Sequence, residues 1–442
     1  MPTWFSSNRA RLLDALWLLA LALYIAAGVP LVSFHGDEAM QVYMSDDYAV
    51  AFFDRDLPRL TAGPPYNIDA EAQLRILNGS VNRYSIGLAW HLAGYSRADL
   101  PPAPGWDWGL DYDTNVASGH RPPDALLWLA RLPSALLLAV SAAAMFGLGW
   151  QMGGRPLAYA ASALYTLNPV ILLNGRRAMM EGSLLAFGLL AVLLATVISR
   201  KRAQGAAPGP LWWLGLAAAA GLTLASKHSG AVFVAAAFGW VLAAELLRRQ
   251  PRTLAGAGLR LAASGAAALA LFVALSPALW SDPPARLLDL AAVRAELLST
   301  QVQADPAAPM PLAQRAEFAL TQPFIAPAMH FEAGGWTSFA PISGEVARYM
   351  QSPLSGWQFG PLAGAALTLL AAFGAAALAV PRLRGGTPPG HAAGLLLWLA
   401  LVLAVMFANP LPWQRYYLPL IPPVTLLAVV GLAALLRWRR RG

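Results

Sequence analysis

The chain has 442 residues, of which 57% are hydrophobic and only 12% are charged, and it contains no cysteine. Soluble domains carry about 25% charged residues, so this composition excludes a soluble globular protein, and the missing cysteine excludes disulfides, thiolate catalysis and cysteine metal sites. The net charge of +8 arises from Lys and Arg clusters between apolar segments, a pattern that concerns membrane topology rather than nucleic-acid binding.

Runs of about 20 apolar residues are long enough to cross a bilayer as helices. The sequence contains about ten such runs, and readings of about 9 to 13 are alternatives. They lie at residues 12–34, 125–150, 157–174, 183–199, 211–226, 229–247, 259–280, 357–380, 392–409 and 413–436. We therefore predict an all-α polytopic membrane protein, with residues 1–442 as a single membrane-embedded domain.

The basic clusters fix the orientation of these helices. With both termini in the cytoplasm, every short cytoplasmic loop is basic, as the positive-inside rule requires. The clusters contain Arg9 and Arg11, Arg155, Arg200 to Arg202, Arg248, Arg249 and Arg252, Arg382 and Arg384, and the closing RWRRRG at 437–442. We predict a multi-pass protein of the cell membrane whose active site is extracytoplasmic.

Two long segments then face the outside of the cell, at residues 35–124 and 281–356. Each contains an amphipathic stretch, DAEAQLRIL at 69–77 and ARLLDLAAVRAELL at 285–298, with apolar residues at helical spacing. Such helices lie in the membrane interface or pack on the bundle as ordinary loop helices. Both alternatives stay open.

Ionisable residues gather at the outer ends of the predicted helices. The stretch FHGDEAMQVYM at 34–44 places two adjacent acids there, Asp37 and Glu38. The short outer turns add Arg176, Arg177, Glu181, Lys227, His228, Arg415 and Tyr416. A single Arg or Lys at a helix end usually extends its charge to the interface without binding anything. Several together at one depth, against the positive-inside trend, indicate a functional site.

Cations that face a carboxylate suit a reaction in which phosphate leaves a sugar. Arg and Lys stabilise the negative charge that develops on the phosphate, and a carboxylate accepts the proton of the attacking hydroxyl. A single in-line displacement of this kind inverts the anomeric carbon. No firm cofactor is implied. A divalent metal is an alternative, since several His, Asp and Glu side chains are assigned to the outer side, but no paired-ligand motif such as HExxH occurs.

The order of these motifs resembles the polytopic C-class glycosyltransferases, in particular the protein O-mannosyltransferases and the transferases of aminoarabinose to lipid A. The resemblance is carried by GDEAM at 36–40, LARLPSALLLAVSAAAMFGLGWQMGG at 129–154, NPVILLNGRRAMMEGSLL at 168–185, LTLASKHSGAVF at 222–233, LSPALWSDPPARL at 275–287 and WQRYYLPLIPP at 413–423. It covers nearly the whole chain. Two departures are Glu181, where many relatives have Asp, and the lack of a His-Pro-Pro sequence at 78–95.

The resemblance implies a hexosyl- or pentosyltransferase that uses a polyprenyl- or dolichyl-phosphate sugar donor. It implies that Asp37 is the base and that Glu38 supports Asp37 or orients the acceptor. Contacts to the donor phosphate would come from Arg176, Arg177, Lys227, His228 and Arg415, with Glu181 and Tyr416 as supporting residues. The acceptor is open: a protein, lipid or glycan hydroxyl. The missing His-Pro-Pro argues against assuming a protein.

Three alternatives follow from the same residues. A transporter or flippase of an anionic lipid-linked sugar would use the cations but need no base; the absence of a repeat between the two halves speaks against it. A structural scaffold leaves the basic outer turns unexplained. An oligosaccharyltransferase would carry a WWDYG-type sequence, which this chain lacks.

Overall fold

The computed structural model describes residues 3–66, 69–304, 309–332, 340–381 and 387–439, without the side chains of residues 3–7, 252 and 340. These ranges form helices and contain no strand, which confirms the all-α class. Some of the basic residues used for topology, Arg382, Arg384, Arg440 and Arg441, lie outside the described residues, as does the Arg252 side chain.

Nineteen α-helices are described, with short 3-10 turns and one π-helical turn, Val50–Asp54, in some of the connections. They are α1 Thr3–Ala27, α2 Gly36–Met44, α3 Asp46–Ala49, α4 Ala70–Leu77, α5 Ser80–Leu92, α6 Tyr112–Ala117, α7 Asp124–Gly153, α8 Arg155–Thr166, α9 Pro169–Arg176, α10 Glu181–Ala203, α11 Pro210–Ser226, α12 Ala231–Arg248, α13 Pro251–Leu275, α14 Pro283–Ala304, α15 Leu312–Thr321, α16 Ala340–Gln351, α17 Gly360–Ala379, α18 Pro389–Ala408 and α19 Ile421–Arg439.

Eight helices in the described part of the chain are long and apolar enough to cross a membrane, or nine if one bent pair forms a single span. The protein is therefore a multi-pass membrane protein. The bent pair, α8 with α9, matches the predicted span 157–174, and the predicted span 211–226 is α11, a shorter apolar helix of 17 residues. Every predicted span thus corresponds to a helix, while the number of membrane crossings stays a prediction.

The bend of 63° between α8 and α9 has a local cause. The Asn168 side chain accepts hydrogen bonds from the backbone N–H groups of Val170 and Ile171, and Pro169 occupies the first turn. This is a strong helix start, so α8 cannot continue through it. The break turns the following segment, which ends at Arg176 and Arg177, into the interior of the bundle, where both side chains are buried.

The helices of the two long connecting segments cover one end of the bundle. Helix α4 packs against α14 through a buried apolar cluster that includes Ile76, Leu77 and Val293. Both amphipathic stretches therefore form helices that contact each other. Whether they also lie in a membrane interface stays a prediction. At this end, α10 begins at Glu181 and α18 ends at Ala408.

Candidate active site

Helix α2 begins in a way that separates its two acids. The His35 side chain accepts a hydrogen bond from the Asp37 backbone N–H, and the Glu38 carboxylate accepts one from the His35 backbone N–H, a reciprocal capping box. Successive helical residues point about 100° apart. Asp37 consequently faces a cavity, whereas Glu38 points into the protein core and is fully buried.

Glu38 is held in a buried ion pair with Arg131 of α7. The Arg131 Nε and Nη2 atoms donate to the two Glu38 oxygens at 2.7 and 2.8 Å, and the Ala178 backbone N–H donates to Glu38 Oε1 at 2.8 Å. With the capping bond from His35, every Glu38 oxygen is engaged. Glu38 is therefore fully buried beside Asp37 and does not line the cavity.

Asp37 belongs to a charged network at the cavity wall. Its carboxylate forms an ion pair with Arg415, and Arg415 Nε lies 3.0 Å from an oxygen of Glu332. The second Glu332 oxygen lies 2.9 Å from His35 Nε2. Because His35 Nδ1 accepts the Asp37 N–H, the His35 proton is on Nε2 and is donated to Glu332. About a quarter of the Asp37 side chain, 26%, remains exposed to the cavity.

This network keeps the acids ionised. Burial by itself would raise the pKa of Asp37, but the positive charge of Arg415 and its hydrogen bond hold that pKa below its usual range. Burial likewise opposes the ionisation of Glu332, but the positive charge of Arg415 and the hydrogen bond from His35 hold the pKa of Glu332 well below its usual range. The free protein therefore presents Asp37 as a carboxylate.

Lys227 also lines this cavity. Helix α11 ends at Ser226, Lys227 adopts an extended backbone, and a short 3-10 turn follows. Its ammonium donates to Glu181 Oε1 at 2.5 Å and lies 5.6 Å from the centre of the Tyr416 ring. The structure thus brings Asp37, Glu181, Lys227, Arg415 and Tyr416 together around one space.

Two cavities meet at these residues. The polar one, about 290 Å³, contains Asp37, and the other, about 420 Å³, runs between apolar side chains such as Leu184 of α10, Val232 of α12 and Val405 of α18. They share six lining residues: Lys227, Arg294, Leu297, Gln301, Arg415 and Tyr416. An apolar pocket therefore leads through a cationic boundary to the Asp37 carboxylate.

Arg294 of α14 is the cation at this boundary that lacks a neutralising partner. Its guanidinium donates to the Leu77 carbonyl, and its Nε has no hydrogen-bond partner in the described part of the chain. Lys227 and Arg415 each face a carboxylate, whereas no described carboxylate forms an ion pair with Arg294. Burial lowers the pKa of Arg294, which reflects this unneutralised position. The boundary is consequently suited to an additional anion.

Two predicted phosphate contacts, Arg176 and Arg177, lie elsewhere. Arg176 donates to the Tyr349 hydroxyl and to backbone carbonyls of α1 and of residue 354. A Cβ at Gly28 would stand 2.2 Å from its guanidinium carbon, so the glycine permits this approach. Arg177 donates to the Ser33 hydroxyl and to the Ser33 and His330 carbonyls. Neither arginine lines the two cavities.

His228, the remaining predicted phosphate contact, lines the apolar cavity but not the polar one. Its ring packs edge-on against Phe272, and its Nδ1 is buried without a hydrogen-bond partner among the described residues. The structure therefore brings His228 to the apolar side of the boundary, whereas Lys227 and Arg415 line both cavities.

Sequence reasoning missed three residues of this site. Arg131 is an ionisable residue inside a predicted span, a costly placement that indicates a function. Arg294 lies within the amphipathic stretch 285–298, which we interpreted as an interfacial helix or an ordinary loop helix and not as part of a site. Glu332 follows no periodic pattern, and only the tertiary structure brings it to Arg415.

The sequence left a divalent metal open as an alternative. In the ranges that the structure describes, no group of three or more His, Asp or Glu side chains could hold a metal ion. In the network beside Asp37, Glu332 instead contacts His35 and Arg415.

Part of the chain matches a known protein family. Residues 105–278 match the family model of the dolichyl-phosphate-mannose-protein mannosyltransferases. This segment contains Arg131, Glu181 and Lys227 but ends before Arg294, and it begins after Asp37. No curated protein matches the sequence.

The fold is shared with solved structures of low sequence identity. The oligosaccharyltransferase AglB from Archaeoglobus fulgidus, in complex with an inhibitory peptide and a dolichol-phosphate, has a TM-score of 0.52 and 12% identity, covering 99% of this chain and 51% of that one. An apo structure of the Archaeoglobus fulgidus oligosaccharyltransferase has a TM-score of 0.53 and 13% identity, covering 96% and 51%. ArnT from Cupriavidus metallidurans, bound to undecaprenyl phosphate, has a TM-score of 0.48 and 13% identity, covering 95% and 60%.

The chain spans between a third and three-fifths of the length of the solved chains that it matches. The resemblance to the polytopic C-class glycosyltransferases is confirmed, through the matched segment and the fold.

Proposed function

We propose that this protein is an inverting glycosyltransferase that moves a monosaccharide from a polyprenyl- or dolichyl-phosphate carrier to an acceptor hydroxyl on the extracytoplasmic face of the membrane. The observation that carries the proposal is the cationic boundary between an apolar cavity and the Asp37 carboxylate. An amphipathic donor matches this arrangement, with its isoprenoid chain among apolar side chains, its phosphate at the boundary and its sugar beside Asp37.

The donor phosphodiester carries one negative charge, and Arg294 supplies one unneutralised positive charge. Charge-assisted hydrogen bonds of this kind contribute about 1.5 to 3 kcal/mol each. Lys227 and Arg415 lie at the same boundary. They stabilise the additional charge that develops on the phosphate as its bond to the sugar breaks.

The transfer step is a single displacement. The acceptor oxygen attacks the anomeric carbon, its proton passes to the Asp37 carboxylate, and the bond between the anomeric carbon and the phosphate oxygen breaks with its electron pair on the phosphate. The lipid phosphate leaves from the face opposite to attack, so the anomeric configuration inverts. Asp37 acts as the base.

Donor binding also prepares Asp37 for this role. In the free protein, Arg415 holds the Asp37 pKa low, which keeps the carboxylate ionised but makes it a weak base. A phosphate at the boundary competes for Arg415 and adds a negative charge near Asp37, and both effects raise the Asp37 pKa. The base therefore strengthens when the donor is bound.

The reaction itself is tested with purified protein in detergent, radiolabelled polyprenyl-phosphate sugars and candidate hydroxyl acceptors. We expect the label to move from the lipid phase to the acceptor, or to water in slow hydrolysis. Protein that binds the labelled lipid without releasing the sugar, and moves it across vesicle membranes, would support the flippase alternative and contradict the enzyme.

We expect the Arg294→Gln variant to raise the donor KM by a factor of about 10 to 100, because one charge-assisted contact to the phosphate is lost. The matched control is Arg286→Gln on the same helix α14, where Arg286 pairs with Asp289 outside both cavities. Steady-state kinetics with varied donor provide the measurement. Equal KM values for the two variants would place the phosphate elsewhere.

The pH profile tests the pairing of Asp37 with Arg415. Because kcat/KM reports groups of the free enzyme and the free-enzyme pKa of Asp37 is below its ordinary value of 3.8, we expect no loss of kcat/KM due to Asp37 between about pH 7 and about pH 5. In Arg415→Gln, burial acts with less opposition and raises the Asp37 pKa, so the acid limb moves to higher pH. If the acid limbs of the native protein and of Arg415→Gln lie at the same pH, whatever the maximum of each profile, this pairing is contradicted.

A further inference from the structure

A third cavity, about 540 Å³, lies at the end of the bundle remote from Asp37. It is lined by the last residues of α10 and α12 and the first residues of α18, whereas α10 begins at Glu181 beside the candidate active site. At 1.5 Å per residue, the 23 residues of α10 separate the two sites by about 30 Å. The cavity is therefore not a part of the site described above.

The lining of this cavity is cationic. It includes Arg200 and Arg248 and contains no Asp or Glu. Arg248 contacts Glu245 at 3.1 Å, but Glu245 is already bonded by two nitrogens of Arg202 at 2.7 and 3.0 Å. Arg200 contacts the neutral Gln151 side chain at 3.2 Å. Two arginines thus share one carboxylate and Arg200 contacts none, so surplus positive charge lines the cavity.

Two buried polar side chains also line the cavity without a hydrogen-bond partner in the described ranges. They are the Ser199 hydroxyl, in a residue 4% exposed, and His391 Nε2, in a residue 2% exposed. A buried polar group without a partner costs about 1 to 3 kcal/mol, so such groups indicate a missing ligand. A hydroxyl and an imidazole N–H both donate to phosphate oxygens.

We propose that this cavity binds the phosphate headgroup of an anionic phospholipid. The lining also includes apolar side chains, among them Met152, Leu247 and Trp150, which suit the glycerol and upper acyl region of a lipid better than a free anion. The cavity also lies where membrane-spanning helices end, at the depth of lipid headgroups. Basic pockets between transmembrane helices are known to hold anionic headgroups.

The test is native mass spectrometry of the full chain, purified in detergent and mixed with equal amounts of phosphatidylglycerol and phosphatidylcholine. We expect preferential retention of phosphatidylglycerol, and in Arg200→Gln a reduction of that preference by about fivefold for one lost charge. The matched control is Lys201→Gln, which removes a neighbouring charge that lies over Trp212 outside the cavity. We expect the control to retain the preference. Arg200 is exposed and has one neutral partner, so the variant folds.

Three results would overturn the proposal. The first is equal retention of the two lipids. The second is an equal loss in Arg200→Gln and Lys201→Gln, which would indicate general surface attraction. The third is full displacement of the lipid by soluble glycerol phosphate at millimolar concentration, which would make a free phosphate ester the ligand. Loss of the phosphatidylglycerol preference in His391→Phe, with thermal stability retained, would support the proposal through a side chain that carries no fixed charge.

Discussion

The Asp37→Asn variant is expected to transfer sugar about 10² to 10⁴ times more slowly than the native protein, which is the usual contribution of a general base. Asparagine matches aspartate in size, so α2 keeps its His35 cap, which uses the Asp37 backbone N–H. Loss of the Asp37 charge leaves Glu332 as the one described carboxylate paired with Arg415, which makes Arg415 more available to the donor phosphate. Donor affinity should therefore be unchanged or higher while kcat falls.

The measurement is single-turnover transfer from a labelled lipid-phosphate sugar, together with donor binding to the same preparation. Asp46→Asn is the matched control, since Asp46 pairs with Arg97 and lines neither of the two joined cavities. We expect the control to transfer at the native rate. Full activity of Asp37→Asn would exclude Asp37 as the base. Loss of donor binding without loss of kcat would mean that Asp37 contributes to donor binding and not to the chemical step.

The helices were predictable because hydropathy reports directly on burial in lipid, and every predicted span has a helical counterpart. The gathering of Asp37, Glu181, Lys227 and Arg415 was predictable for a related reason. Charged groups at helix ends are costly enough that they persist where they serve a purpose. Because successive membrane helices run in opposite directions, every second connection is expected on the same side of the membrane, and this groups those helix ends.

The division of roles among these residues was not predictable. Asp37 and Glu38 are adjacent in sequence, and only the start of α2 decides which of them faces the cavity. Arg176 and Arg177 fit a phosphate site by charge, yet they donate to backbone carbonyls that a membrane interior would otherwise leave unpaired. Arg294 has an amphipathic sequence context, which does not reveal that α14 packs over the cavity.

The Glu38→Gln variant is expected to lose about 3 to 5 kcal/mol of unfolding free energy, the usual cost of leaving a buried charge without its partner. Glutamine fills the same space, but its amide presents N–H groups to the Arg131 donors and no longer neutralises them. The partners are 0% and 1% exposed, so water cannot compensate. Thermal unfolding in detergent, followed by circular dichroism, measures the loss.

The double variant Glu38→Gln, Arg131→Met separates stability from chemistry. Removing both charges should recover most of the lost stability, whereas Glu296→Gln, at an exposed position of α14, should change it by no more than about 0.5 kcal/mol. If Glu38 were itself the base, Glu38→Gln would lose transfer as well as stability, and the double variant would remain inactive when folded. Transfer per folded molecule in the double variant therefore decides whether Glu38 supports Asp37 or reacts.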